Sequence, residues 1–304
     1  MIDEKELFKP VNIEELEAHE YIRPSIGYWQ DAWRRLKKNK LAVVGLVIII
    51  LLIVVAIFGP MLSRFEYDEI NLNNVYAPMS ASHLFGTDEL GRDVFTRVLY
   101  GARISLAVGF VASFINLIIG VLYGGISGFI GGKVDNVMMR FVDILYGVPI
   151  LLIVILLMVV LRPGLTNIFI ALGIGYWVGM ARIVRGQTLS LKEQEFTLAA
   201  RTLGASKTRI LVRHIIPNAI GPIIVTATLL IPNAIFFEAF LSFIGLGVSA
   251  PVASWGVLAS DGIRSFQSYP NLLFFPALFI SVAMLSFNFL GDGLRDALDP
   301  RQRK

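Results

Sequence analysis

LAVVGLVIIILLIVVAIFGPML, residues 41–62, holds 22 positions without a charge. A bilayer core takes about 20 apolar residues in helical form, so this stretch is long enough to cross it. A cleaved signal peptide would have a shorter apolar core followed by small residues. Here Gly59-Pro60-Met61-Leu62-Ser63-Arg64 follows, and 40 mostly polar residues precede. The stretch reads as a retained anchor, and the rest of the chain agrees. Of 304 residues, 55% are hydrophobic and 16% charged. That is too little charge to solvate a soluble surface of this size.

Five further spans follow from the same reading: Ile104 to about Ile130; about Val134 to Leu161, interrupted by Asp143 and Pro149; Asn167 to about Val184; Ile216 to about Val248; and Leu272 to Leu290. The fifth of the six is too long for one simple crossing and contains Pro217, Pro222 and Pro232. It predicts a helix followed by a short extra helix or re-entrant turn. The expected fold is an all-α membrane protein of about six transmembrane helices, with both termini on one side. Its segments are a 1–40 N-terminal part with an interfacial helix, a 41–62 anchor, a 63–102 outer loop, a 103–292 core of five helices and a 293–304 tail.

Basic residues decide the side. With the N-terminus inside, residues 1–40, 131–140, 182–214 and the tail hold 21 of the 27 Lys and Arg. The outer segments keep Arg64, Arg92, Arg97, Arg103, Arg162 and Arg264. The positive-inside rule then places both termini in the cytoplasm. The cluster Arg34-Arg35-Leu36-Lys37-Lys38-Asn39-Lys40 abuts the first span and reinforces this. Upstream, Glu14, Glu15, Glu17 and Glu20 form an acidic patch, and Trp29 and Trp33 with the basic cluster suit a helix at the lipid interface. There is no cysteine, and His19, His83 and His214 are far apart, so neither disulfides nor a histidine metal cluster is expected.

The loop between the first two spans carries Phe85-Gly86-Thr87-Asp88-Glu89-Leu90-Gly91-Arg92-Asp93. Gly86 and Gly91 permit turns, and Asp88, Arg92 and Asp93 suit ion pairs or a helix cap. A folded tether between spans is the reading. Gly120, Gly124, Gly128 and Gly132 recur every four residues, a stripe on which a neighbouring helix can approach closely. Ala171, Gly175 and Gly179 repeat it more weakly.

The segment SLKEQEFTLAARTLGASKTRILVRHIIP, residues 190–217, is too polar to span and too long for a turn. Phe196, Ala199, Ala200 and Leu203 fall on one helical face. Gly204 can close that helix in a left-handed cap, and Ser206 can cap the next. Lys207, Arg209 and Arg213 then alternate with apolar residues. Two short amphipathic helices joined at an elbow suit either lipid headgroups or a soluble partner, and the pattern alone leaves both open. A nucleic-acid hairpin is discounted because the basic residues lie beside a membrane.

This segment resembles the cytoplasmic EAA loop of binding-protein-dependent ABC importers. Leu198-Ala199-Ala200, Gly204 and Ile216-Pro217 stand at the loop's spacing, with departures at Leu198, where the pattern has Glu, and at His214, where it has Ile. Ala-Ala-Arg-x-Leu-Gly-Ala-Ser followed by Arg-His-Ile-x-Pro-Asn is similar to the dipeptide/oligopeptide/nickel branch. So are the Phe85–Asp93 loop, Glu238–Gly247 and Gly291–Pro300. The resemblance is to the C-type permease subunit and covers most of the chain from about residue 30.

What the resemblance implies is a non-catalytic permease of the type I importer fold, in a bacterial or archaeal cytoplasmic membrane, with 190–217 as its coupling loop. Its partners would be a second homologous permease, two ATPase subunits, an external binding protein, membrane lipid and a di- or oligopeptide substrate. The chain binds no cofactor on this reading, and ATP-Mg belongs to the ATPases. Consistently, the nearest approach to a phosphate-binding loop, Ser127 to Val134, lacks the first Gly and the final Ser or Thr. The run Gly245-Leu246-Gly247 is not set between a strand and a helix. Glu195, Ala199, Ala200, Arg201, Gly204 and Ala205 would enter the ATPase cleft. Asp143 and Glu238, ionisable and at membrane depth, are the candidates for the pathway, against a reading in which each is the buried partner of an Arg or of the other permease. Nickel, opine or glutathione import are alternatives within the branch. A secondary transporter would usually show an internal repeat, and none is visible. An intramembrane enzyme would need convergent catalytic groups, and only the isolated Asp143 and Glu238 are present.

Overall fold

The computed structural model describes residues 27–299. The acidic patch at Glu14–Glu20 and the last five residues lie outside them. The chain runs as α1 (Tyr28–Lys38), α2 (Lys40–Leu62), α3 (Val94–Ile130), α4 (Gly132–Tyr146), α5 (Ile150–Leu161), α6 (Leu165–Lys192) and α7 (Glu195–Thr202). Next comes α8 (Lys207–Ile210), which continues through a π-helical segment (Leu211–Ile215) and a further turn (Ile216–Asn218). The chain ends with α9 (Ile220–Phe243), α10 (Trp255–Arg264) and α11 (Asn271–Leu298). No strand is formed among the described residues.

Five of these helices, α2, α3, α6, α9 and α11, are long and apolar enough to cross a membrane. The α4–α5 pair makes a sixth crossing only if taken together, and it is bent by 81°. The bend has a local cause. Gly147 ends α4, and Pro149, which has no N–H and disfavours helix before it, starts α5. The pair does connect the two ends of the bundle. Asp135 near its start bonds Arg185 at the end of α6, and Pro163 just past it lines a cavity with Arg97 at the start of α3.

Both described termini lie at one end. The Tyr28 hydroxyl reaches the Leu298 carbonyl at 3.5 Å, and Arg35 donates to the Asp299 carbonyl at 3.3 Å. Ala32, Val225 and Leu298 pack together beneath α1. Trp29 and Trp33 point outward, 56% and 49% exposed, and the Lys37 ammonium sits 5.1 Å from the Trp33 ring centre. An apolar ring with a cation at its rim suits the headgroup layer.

The second span begins before Ile104. Its helix starts at Val94, where the Asp93 carboxylate accepts from the Thr96 N–H at 2.8 Å, the N-cap geometry. At 37 residues α3 is about 55 Å long, well beyond the apolar core of a bilayer. Its first turns therefore stand in the loop end, with Arg97 buried and Arg103 bonded to the Ala56 and Ile57 carbonyls of α2. The 63–93 loop folds back beneath them. Gly91 has φ +71°, and a β-carbon there would lie 1.8 Å from the Asn71 oxygen, so the turn requires glycine. Asp88 accepts from Arg92 Nε at 2.7 Å. After α9, a turn and α10 return to the bundle, where Trp255 is fully buried and donates to the Val98 carbonyl at 3.0 Å.

The centre of the bundle is α3 against α6. A β-carbon at Gly120 would meet Met180 at 2.4 Å, and one at Gly124 would meet the Ala181 oxygen at 2.2 Å. At Gly128 it would meet the Arg185 oxygen at 2.8 Å. Here the backbones touch because glycine lets them. Gly132 leaves the stripe, since it opens α4 beyond the end of α3, with open space around it. Half of the most apolar stretch of α3 is buried, against 28% for α2, whose Leu41, Val44, Ile50 and Leu51 face outward. The outward apolar surface of α2 marks it as a peripheral, lipid-facing helix.

Candidate functional site

The elbow at residues 195–218 stands at the end of the bundle that holds the two described termini. Glu195 opens α7, where a carboxylate favours the helix dipole. The Thr197 hydroxyl donates to the Leu191 carbonyl at 2.9 Å and anchors α7 to the end of α6. At the other end the Gly204 N–H donates to the Arg201 carbonyl and the Ala205 N–H to the Ala200 carbonyl, each at 3.0 Å. With Gly204 at φ +79°, this is a Schellman closure. The Ser206 hydroxyl accepts from the Arg209 N–H at 3.3 Å and caps α8.

The elbow has an inner and an outer side. Thr197 and Ala200 face inward, and Ala200 packs with Ile210 and Ile215 against Phe129 and Leu191. Outward stand Phe196 at 38%, Leu198 at 44% and Leu203 at 87% exposure, with Glu195, Ala199, Arg201 and Gly204 also exposed and Ala205 half-buried. The sequence placed Phe196, Ala199, Ala200 and Leu203 on one face. The structure splits them, because the inner side is already filled by Ile210 and Ile215. Ala200 is therefore part of the support beneath the elbow, and the accessible small residues are Ala199 and Gly204.

Below the elbow, charged groups tie it to the bundle. Arg185 on α6 donates to both Asp135 oxygens on α4 at 2.6 Å, and Ser127 on α3 adds a third bond at 2.5 Å. Asp135 is buried while a third of the Arg185 side chain is exposed. A bidentate Arg–carboxylate fork is among the strongest polar contacts. Lys192 Nζ donates to the Gly128 carbonyl at 3.2 Å. Sequence reading missed Asp135 and Arg185. Their only hint was a pair of acids on α4, Asp135 and Asp143, opposite a pair of arginines on α6, Arg182 and Arg185.

Asp143 is paired within the chain. Arg182 Nη2 lies 2.5 Å from its carboxylate, and the Arg182 guanidinium stacks on the Tyr146 ring at 4.0 Å. Both members are exposed in the isolated chain. Glu238 differs entirely. It is fully buried at the loop end, and three hydroxyls donate to it: Ser254 at 2.6 Å, Ser242 at 2.9 Å and Ser105 at 3.1 Å. Ser105 in turn accepts from the Trp255 N–H at 3.1 Å. Glu238 joins α3, α9 and α10, and its buried partners are serines, not an arginine.

The described residues thus form a bundle of helices long and apolar enough to cross a membrane, with a polar elbow at one end. The chain belongs to the binding-protein-dependent transport system inner membrane component family, whose model matches residues 116–304. Residues 27–78 match the N-terminal TM domain of oligopeptide transport permease C. It is 56% identical to the oligopeptide transport system permease protein OppC of Bacillus subtilis, over 99% of this chain and 98% of that protein. It is also 56% identical to the dipeptide transport system permease protein DppC of the same organism, over 95% and 90%, and 50% identical to OppC of Escherichia coli, over 90% and 92%. Among solved structures, an inward-facing form of the MetNI methionine ABC transporter matches with a TM-score of 0.55 at 19% identity, over 66% of this chain and 96% of that one. That likeness gives the fold of an ABC importer permease.

Proposed function

We propose that this chain is the permease through which an ATP-driven importer moves di- and oligopeptides, and that the outer side of the α7–α8 elbow is where a soluble ATPase subunit docks. One observation carries the docking surface. Phe196, Ala199 and Leu203 are exposed around an open glycine cap, while the inner side of the same elbow is fixed to the bundle through Ala200, Ile210 and Ile215. Leu203, at 87% exposure, extends the apolar surface of Phe196 and Leu198 on that side.

On this reading ATP-Mg is held by two partner ATPases, and this chain performs no catalysis. A second, homologous permease completes the pore, and an extracytoplasmic binding protein delivers the peptide. The elbow end is cytoplasmic and the loop end faces outward, an orientation supported by the distribution of the basic residues. Closure of the ATPases on ATP moves α7. The Thr197 anchor and the Asp135–Arg185 fork pass that movement to α6, α4 and α3. Such coupling requires contacts at the elbow that differ between the two states. The peptide substrate is supported by the names of relatives at 50–56% identity. Nickel or another small solute is the competing cargo of the branch.

The test is purification of the tagged chain from its native membrane in a mild detergent, with mass spectrometry of what accompanies it. Recovery of a second six-span permease and of soluble ATPases is the expected result. A homodimer or monomer free of any ATPase in several detergents would return the elbow to the membrane surface and favour a secondary transporter.

A further inference from the structure

At the loop end, the start of α3, the segment after α9 and α10 border a half-open cavity of about 430 Å³. That is the size of a small-ligand site. Its wall carries Glu89, Arg92, Arg97, Asp261 and Arg264, an unusual charge density for one cavity of a chain in which 16% of residues are charged.

Arg97 is the anomaly. It is 2% exposed, and its Nε has no hydrogen-bond partner. Its Nη1 reaches only the Tyr67 carbonyl, at 3.5 Å. The one carboxylate oxygen within ion-pair range among the described residues is Asp88 Oδ2 at 3.6 Å, too far for a hydrogen bond. Asp88 is already committed. It accepts from Arg92 Nε at 2.7 Å and from the Leu90 and Arg92 N–H groups at 2.9 and 3.0 Å. A buried guanidinium without a bonded counter-charge is costly until a partner arrives.

With Arg92 matched by Asp88, the cavity wall is left with Arg97 and Arg264 as cations and Glu89 and Asp261 as anions. Burial pushes the Asp261 carboxyl up from its ordinary value, while Arg97 and Arg264 draw it down. Among the described residues, no ion pair within 4 Å engages Asp261, Glu89 or Arg264. Two charges of each sign around one cavity, none of them hydrogen-bonded to an opposite charge among the described residues, complement a zwitterion, and a short unblocked peptide is one.

We infer that this cavity is a recognition site for the charged ends of a short peptide, with Arg97 and Arg264 taking the α-carboxylate and Glu89 and Asp261 the α-ammonium. The inference rests on the peptide-permease reading and adds a place and a chemistry to it.

The absence of native cysteine makes the test clean. Ser260→Cys puts the only thiol of this chain on the cavity wall. The importer carrying it, purified with its partners and reconstituted in nanodiscs, is exposed to a polar maleimide, and labelling of this chain is followed by mass. Tri-alanine should slow labelling. Tri-alaninamide and N-acetyl-tri-alanine should each need about tenfold higher concentration for the same effect, the loss expected for one charge-assisted contact. Arg264→Gln, a change at an exposed position that leaves buried Arg97 in place, should bring tri-alanine down to the level of its amide. Equal protection by the amide overturns the inference. So does protection by the peptide-free binding protein alone, which would assign the cavity to a protein side chain. If tri-alanine is transported by the same preparation yet leaves labelling unchanged, the cavity assignment falls and the permease reading stands. If tri-alanine is not transported at all, the peptide reading itself falls, and the inference with it.

Discussion

Arg185 grips Asp135 through two hydrogen bonds of 2.6 Å, fifty residues apart in the chain and joining the last turns of α6 to the first turns of α4. Ser127 brings α3 into the same contact. Three helices are thus fixed at one point directly beneath the elbow.

Removing one member leaves the other charged and half enclosed. Asp135→Ala should lower stability by about 3 kcal/mol, in the range for stranding one member of a buried pair. Asp143→Ala, whose pair with Arg182 is exposed, should cost about 1 kcal/mol or less. Thermal midpoints of the purified complex in one detergent give both values. A double-mutant cycle on Asp135 and Arg185 should show strong coupling.

Glu238 makes a second prediction, because its three serine donors are buried with it. Glu238→Ala should strand three hydroxyls and open a cavity, at a cost of about 3 kcal/mol or more. Glu238→Gln keeps one acceptor oxygen and should cost less, with peptide uptake largely retained. If Glu238→Gln instead abolished uptake in a normally folded protein, Glu238 would belong to the pathway after all.

The α3–α6 contact makes a third. Gly124→Val should prevent assembly, because its β-carbon would sit 2.2 Å from a backbone oxygen that has no room to move. Gly179→Ala, on the same α6 but with open space around it, should raise the thermal midpoint of the isolated chain slightly, since alanine favours helix over glycine by about 1 kcal/mol. Membrane-fraction yield and thermal midpoint separate the two.

At the elbow, Gly204→Ala meets no neighbour but forces a β-carbon into φ +79°. The cost should be about 1 kcal/mol and local to the cap. Leu203→Asp changes a side chain that is 87% exposed and should leave stability unchanged, yet it should sharply reduce ATP-dependent uptake. Equal uptake by Leu203→Asp and the parent would remove the docking surface.

What the sequence revealed and what it withheld divide along the range of the interaction. The α2 span, the Asp93 cap, the Gly204 turn and the Ser206 cap are encoded within a few residues, and all were legible. The start of α3 was not, because Arg97 and Arg103 read as loop charges. Only the fold shows that Arg97 is buried and that Arg103 is bonded to the carbonyls of α2. A short extra helix after the fifth span was expected, but α10 stands at Trp255–Arg264, beyond the Val248 bound of that reading. The split of the elbow into inner Ala200 and outer Ala199 depends on Ile210 and Ile215 filling one side. The Asp135–Arg185 fork joins residues too distant for any periodicity to connect. For Glu238 the residue was noticed and its surroundings were not, since serines from three helices carry no joint signal in the sequence.

The most direct test of the elbow uses the same absence of native cysteine. Leu203→Cys in the purified importer, treated with a short thiol-to-amine crosslinker, should give an adduct between this chain and the ATPase subunit. Leu72→Cys, exposed in the 63–93 loop at the opposite end of the bundle, should give none. An adduct that forms at Leu203 and changes in yield when ATP is added is the predicted result. No ATPase adduct at Leu203 in a complex that still hydrolyses ATP and imports peptide would contradict the account.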